Sequence, residues 1–445
     1  MQPRVSHAPS PDRGHCGLAP IVPDCLAHPR LPPPTPSASP ASWRAALGPG
    51  FVVAATGVGA GDLIAASIAG RRFGLAVLWV VVLGALCKGV LNDGIARWQL
   101  ATGTSLIAGW TRHLPRAVAW YFLGFLVLWG ALVAAALTAA CGVAGHALWP
   151  GLPVPAWAAL HAVAGYALVR WGRYERFERL MSWLTAAMFV PVIGCAFPLV
   201  ADPGGFLRGL LLPTVPPGSA GFLLGLMGGV GGSVTLLCYG YWIREKGWQG
   251  PAAHGRCQTD LTVAYTLSGV FGLAMIVIAA GASPGDASGN ALVAALAARL
   301  GEILGPFGRA CFLLGFWSAV FTSLLGVWQG VPYLFADAWR QLRARPDTAP
   351  ISSADPAYQA FLAGLAFPPL LLLLYKSPLA LVVLYAITGS FFLPFLAVVL
   401  LLLNNRAELL GPLRNGRVVN GLLVLCLTLF SVLFVLEARD ALAAR

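Results

Sequence analysis

Apolar runs of roughly 20 residues recur along this 445-residue chain, and no other feature restricts its fold so tightly. A helix rises about 1.5 Å per residue, so about 20 apolar residues cross the hydrocarbon core of a bilayer. Runs of that kind occupy 47–70, 73–93, 117–145, 152–170, 180–201, 219–243, 260–281, 309–336, 359–375, 378–403 and 418–436. Backbone in lipid must satisfy its own polar groups, which leaves helices or closed barrels. A barrel would need short alternating segments instead of these long unbroken ones. The pattern therefore predicts an all-α polytopic membrane protein of about eleven spans. With 58% hydrophobic and 10% charged residues, a water-soluble globule is excluded.

The net charge of +12 invites a nucleic-acid reading, and the placement of the basic residues removes it. With the N-terminus cytoplasmic, basic residues crowd the tail and the even-numbered loops: Arg97, Arg112 and Arg116; Arg170, Arg173, Arg176 and Arg179; Arg244, Lys246 and Arg256; Arg340, Arg343 and Arg345; Arg406, Arg414 and Arg417. The opposite side holds Arg71, Arg72, Arg208, Arg299, Lys376, Arg439 and Arg445. Such asymmetry marks orientation in a membrane, with the cytoplasmic loops rich in Lys and Arg. The expected location is a plasma (inner) membrane, crossed many times, and the expected surroundings are lipid and no nucleic acid.

Residues 1–46, dense in Pro, Ser and His and without an apolar run, read as a disordered cytoplasmic tail ahead of a transmembrane domain at 47–445. The nine cysteines show no CxxC or Cys/His ligand spacing, so they read as small packing residues, and no cofactor is expected.

Shifting the chain by 171 positions lays GFVVAATGVGAGD (Gly50 to Asp62) over GFLLGLMGGVGGS (Gly221 to Ser233), with glycines coinciding at Gly50/Gly221, Gly57/Gly228 and Gly61/Gly232. Five spans separate the copies, so they run in opposite directions through the membrane, as an inverted repeat requires. The repeats then cover about 47–201 and 219–403, with an extra helix at 418–436. Each Gly costs roughly 1 kcal/mol of helix propensity relative to Ala, so both clusters are expected to interrupt their helices near mid-membrane. Backbone unwound at that depth survives only where protein or a watery cavity satisfies it, and half-helix ends can then hold an ion or polar solute. Close packing of small residues is the competing reading. The candidate binding residues are Gly59, Ala60, Gly61, Asp62, Gly229, Gly231, Gly232, Ser233 and Thr235.

Asp62 follows the first cluster at membrane depth, where a carboxylate costs roughly 2.5–3.5 kcal/mol and marks a functional candidate. It is the candidate metal ligand. Lys88 in the second span offers a partner, either for Asp62 or for Asp93, and Lys88 and Asp93 are candidates for coupling or charge compensation. Asp93 and Arg97 stand four apart and are expected to pair. Asp337 reads as a solvated helix end. Ser318, Thr322, Ser323, Thr388 and Ser390 bring hydroxyls to depth, where such groups usually bond to their own backbone.

Four further segments stand out: GPGF (Gly48 to Phe51) followed by RRFG (Arg71 to Gly74), ARWQLATGTSLIAG (Ala96 to Gly109), GRYERFERLMSWLTAAMF (Gly172 to Phe189) and LPFLAVVLLLLNNRAELLGPLRN (Leu393 to Asn415). The first looks like the first two helices of the Nramp divalent-metal transporters and the others are similar to later segments of that family, so the chain resembles it over nearly all of 47–420. The resemblance implies the five-plus-five inverted repeat of the LeuT type. The functional motifs depart from the family: its Asp-Pro-Gly-Asn is replaced here by Gly59, Ala60, Gly61 and Asp62, and its Met-Pro-His-Asn by Gly232, Ser233, Val234 and Thr235. The third span, GALVAAALTAACGVAG (Gly130 to Gly145), carries none of the family's acids, and Ala386 stands near the place of a glutamine. One carboxylate with carbonyl and hydroxyl oxygens makes a hard site, suited to Mg²⁺ or Mn²⁺.

The expected function is secondary active transport of a metal cation, with proton or sodium coupling, and the alternative is a small organic amine or amino-acid-like solute. A membrane enzyme would need clustered His and acidic residues near an interface, which this sequence lacks. A transport-inactive receptor or scaffold is the remaining class.

Overall fold

The computed structural model describes residues 48–200, 202–229, 232–282, 291–343, 351–374 and 378–443. The expected tail, Val230 and Gly231, and the side chains of Ala60, Gly61 and Asp62 lie outside the described residues. Everything described is helical or connecting.

The first apolar run forms two helices, α1 (Pro49–Gly57) and α2 (Ala60–Phe73). Pro49 opens α1, where its missing N–H costs nothing. Gly74 turns the chain in the left-handed region at φ 61° into α3 (Leu78–Thr102), which Gly103 ends in the same way at φ 68°. There follow α4 (Leu106–His113), α5 (Arg116–Leu148), α6 (Val154–Trp171), α7 (Tyr174–Ala196) and α8 (Pro203–Leu211). Ser105 caps α4 by accepting from the Ala108 N–H at 3.1 Å.

The matching run of the second repeat also forms two helices, α9 (Ala220–Gly229) and α10 (Cys238–Glu245), the latter entered through a 3₁₀ turn at Val234–Leu237. Next come α11 (His254–Ala282) and α12 (Ala291–Leu342), the second bent at Gly305 (φ 75°) just before Pro306. The chain closes with α13 (Pro356–Ala366), α14 (Pro378–Ser390), α15 (Phe392–Leu403), α16 (Ala407–Leu410) and α17 (Arg417–Ala443).

Among the described residues, eight helical stretches are long and apolar enough to span a bilayer. The two interrupted runs do not enter that number as spans of their own: α1, α9 and α10 have 9, 10 and 8 residues, short of the roughly 20 needed, and α2 enters only from Leu63, in one stretch with α3; α6, at 18 residues, is not among the eight either. The halves pack crosswise: α1 lies on α10 and α2 on α9, with α11 and α12 closing around α1. An antiparallel pair of interrupted helices at the centre of the bundle is the arrangement the 171-residue repeat predicts.

Candidate functional site at the two interrupted helices

The first interruption is confined to Val58 and Gly59. Val58 leaves helical geometry (φ −90°, ψ 87°) while its N–H still bonds to Ala54 O at 2.8 Å. Gly59 O already accepts from Leu63 N at 3.0 Å and so opens α2. A side chain at Gly59 would run into the hydroxyl of Ser323. Ala60, Gly61 and Asp62 belong to the first turn of α2, not to the gap. Asp62 thereby occupies a helix N-terminus, where a negative charge is favoured.

The second interruption is longer. α9 stops at Gly229, Gly232 sits at φ 85°, and Val234–Leu237 winds as a 3₁₀ turn, so Thr235 lies in a turn and not in unwound chain. A Cβ placed on Gly232 would meet the Thr235 hydroxyl, and would stand 3.6 Å from the Cα of Gly57. The two gaps therefore touch.

α1 and α9 both run into this contact with their C-terminal ends, which leave carbonyl oxygens without intrahelical donors and carry partial negative charge. In each half-helix the penultimate carbonyl accepts from a buried side chain of a neighbouring helix. Ser323 of α12 donates to Thr56 O at 2.6 Å, and the Lys88 ammonium of α3 donates to Gly228 O at 3.0 Å. Lys88 is 0% exposed. Around them stand two further polar atoms, Thr56 Oγ1 and Trp129 Nε1, that are buried without a hydrogen-bond partner. Ser233 and Trp129 both crowd Gly389, where a Cβ would lie 2.5 Å from Ser233 Oγ and 3.0 Å from Trp129 Nε1. Unpartnered buried polar atoms beside free helix ends suit a polar or ionic guest.

Two sequence expectations change here. Asp93 pairs with Arg97 at 2.6 Å as expected, but its second oxygen takes His254 at 2.8 Å, while Lys88 reaches the broken helix instead. Five residues along a helix turn a side chain about 140° away, so Lys88 and Asp93 leave α3 on different faces. Asp337 is not a solvated end: it is 3% exposed and accepts from Ser105 Oγ and, at 2.6 Å, from Tyr241 OH. The hydroxyls of Thr322, Thr388 and Ser390 bond to their own helices as expected, Ser323 crosses to Thr56, and Ser318 departs from the expectation, its hydroxyl being buried with no hydrogen-bond partner.

A residue that sequence reasoning missed is Asp260 in the first turns of α11. It accepts from Gly48 N at 3.2 Å and from Tyr239 OH at 2.9 Å, so one carboxylate ties the start of α1 to α10. Nearby, Lys246 closes on Glu178 at 2.7 Å. On the opposite side of the gap, α2 and α9 meet through Phe73 and Phe222, 5.9 Å between centroids, with Arg72 over the Phe222 ring at 4.8 Å. Among the described residues no group of three His, Cys, Asp or Glu side chains gathers to hold a metal.

A helical membrane protein with two antiparallel interrupted helices meeting at mid-run has the fold of the LeuT-type secondary transporters. Solved structures agree on the fold. A mutant of the Eremococcus coleocola manganese transporter matches 90% of this chain and 87% of its own at TM-score 0.71 and 14% identity. MhsT in complex with L-phenylalanine matches 87% of this chain and 98% of its own at TM-score 0.61 and 18% identity.

The chain belongs to the Nramp family: the model described as natural resistance-associated macrophage protein-like matches residues 50–437. Its relatives include the divalent metal cation transporters MntH of Chromohalobacter salexigens, 26% identical over 415 residues (88% of this chain, 90% of the relative), and of Klebsiella pneumoniae subsp. pneumoniae, 26% identical over 409 (85% and 90%).

Proposed function

We propose that this protein moves a divalent metal cation across the plasma membrane by alternating access, with its N-terminus in the cytoplasm, and that the cation sits where the carbonyl ends of α1 and α9 converge. The observation that carries the reading is the contact of the two gaps, Gly232 against Gly57, which brings two partial negative charges to one point. Asp62 supplies the full charge. Oxygens of Gly59, Ala60, Gly61, Gly229, Gly231, Gly232, Ser233 and Thr235 supply the remaining ligands, a hard set that favours Mg²⁺ or Mn²⁺ over a soft ion. Two curated relatives carry the description divalent metal cation transporter.

Lys88 serves as charge compensation: its ammonium rests on Gly228 O and must yield when a cation takes that end of α9. Asp93, spent on Arg97 and His254, contributes to coupling only from the α3–α11 contact. Proton or sodium movement drives the cycle.

A second reading has one observation in its favour. An ammonium already fits the α9 terminus, so a small organic amine would fit there too. Uptake of isotopic Mn²⁺ and Mg²⁺ into proteoliposomes, compared with Asp62→Asn, tests the choice. Uptake abolished by Asp62→Asn is the expected result. Absence of metal uptake by monodisperse wild-type protein, with thermal stabilisation by organic amines, overturns the metal reading in favour of the second.

A further inference from the structure

Away from the interrupted helices, α3 and α11 part to leave a groove of about 690 Å³, to whose lining α17 adds Val419. Its volume is that of a ligand pocket. Its floor is made of small residues, Ala85, Gly89 and Gly269, and its upper walls of Val82, Leu86, Val270 and Leu273. Val82, Leu86 and Val270 are exposed on the outside of the bundle, so the groove opens toward lipid.

The groove is polar at one end only. Going down α3 from Val82 to Arg97, and up the antiparallel α11 from Leu273 to Gln258, the lining changes from aliphatic to Asp93, Arg97, Gln258 and Thr262. That distance, at about 1.5 Å per residue, is roughly 22 Å, the length of a phospholipid acyl chain lying along the membrane normal within one half of the bilayer and its interface. Asp93 is the acid of the polar end, and it is shared between Arg97 and His254. Two exposed arginines follow close along the chain, Arg256 in the first turn of α11, two residues before the lining Gln258, and Arg417 at the start of α17, two residues before the lining Val419. The end therefore carries an excess of positive charge, and basic pockets between membrane helices are where anionic headgroups seat.

We propose that this groove binds one anionic phospholipid, with an acyl chain along Ala85, Gly89 and Gly269 and its phosphate against Arg97 and the flanking arginines. The site does not depend on the cation reading: it shares Asp93 with the proposed coupling but no residue with the gaps, and it is read out by lipid alone.

The glycines make the test specific. A Cβ on Gly89 would stand 3.5 Å from the Tyr265 ring, and one on Gly269 3.6 Å from the Ala85 Cβ. Both are ordinary contacts, so Gly89→Leu and Gly269→Leu fill the groove without moving backbone. Native mass spectrometry of the full chain, purified in mild detergent from vesicles of mixed phosphatidylglycerol and phosphatidylethanolamine, is expected to find one phosphatidylglycerol retained per chain. The two leucine variants are expected to lose it about tenfold, and Arg97→Gln to retain lipid without the anionic preference. Should the leucine variants fail to elute as monodisperse protein, Thr266→Trp, on the exposed wall, serves the same purpose. Retention of detergent only, equal retention of both lipids by the wild type, or retention unchanged in every filled variant overturns the proposal.

Discussion

The Lys88 ammonium and the Gly228 carbonyl lie 3.0 Å apart, fully buried, at the end of a helix that stops in mid-membrane. A cation tethered to α3 thus stands on one of the two carbonyl ends that face the gap. Its charge competes with any soluble cation for that end. Lys88→Met is accordingly expected to bind Mn²⁺ at least about tenfold more tightly than wild type, about 1.4 kcal/mol, and Lys88→Arg to resemble wild type. Isothermal calorimetry on detergent-purified protein reads this directly, and equal affinities in Lys88→Met and wild type would remove the competition argument.

Asp260 receives two donors from two different elements, Gly48 N and Tyr239 OH. Asp260→Ala leaves the buried Gly48 N–H without its acceptor, at a cost of about 1–3 kcal/mol, and leaves the Tyr239 hydroxyl with only the Cys257 thiol beside it. Thermal unfolding should show a lowered midpoint, and a cysteine introduced at Pro49 should label faster from the tail side. Unchanged labelling would show that α1 is held by other contacts.

Gly232 combines φ 85° with a hydroxyl where its Cβ would go. Gly232→Ala should therefore cost about 1–2 kcal/mol in backbone strain alone and displace Thr235 from the gap. Transport should fall by more than tenfold with the protein still inserted and monodisperse. Gly225→Ala, in α9 with open space around it, is the control and should transport normally.

Tyr241→Phe removes the phenol that donates to buried Asp337 at 2.6 Å, leaving Ser105 as the remaining short partner. A loss of about 1–3 kcal/mol is expected for a charged acceptor, read as a lower midpoint. Full wild-type stability would mean that water replaces the phenol there.

Much of this architecture is legible in the sequence because it rests on local properties. Apolar length fixes the spans, and the glycine clusters fix the gaps: α1 ends at Gly57 and α9 at Gly229, within one residue of the 171-residue offset. The side-chain partners are less legible, because they join residues far apart in the chain. Nothing near Asp260 in the sequence points to Gly48, 212 positions away, and nothing near Ser323 points to Thr56. Lys88 suggested Asp93 by proximity, and helical geometry sends the two apart. The length of the second gap was also hidden, since Val234, Thr235, Leu236 and Leu237 have no composition that distinguishes a 3₁₀ turn from α-helix.

The two mouths of the central helix pair are fastened by different chemistry. On the side where α1 begins, carboxylates do the fastening: Asp260 on Gly48 and Tyr239, Glu178 on Lys246, Asp337 on Tyr241. On the other, aromatic rings and an arginine lie against one another. Polar fastenings must be undone one at a time and resolvated, whereas tilted rings in contact have no donor and acceptor to separate. The molecule therefore has a stiff door and a loose one, and ionic strength, which weakens attraction between partly exposed charges, would act among the first door's fastenings only on the Lys246–Glu178 pair, because the buried Asp260 and Asp337 are held there by uncharged donors.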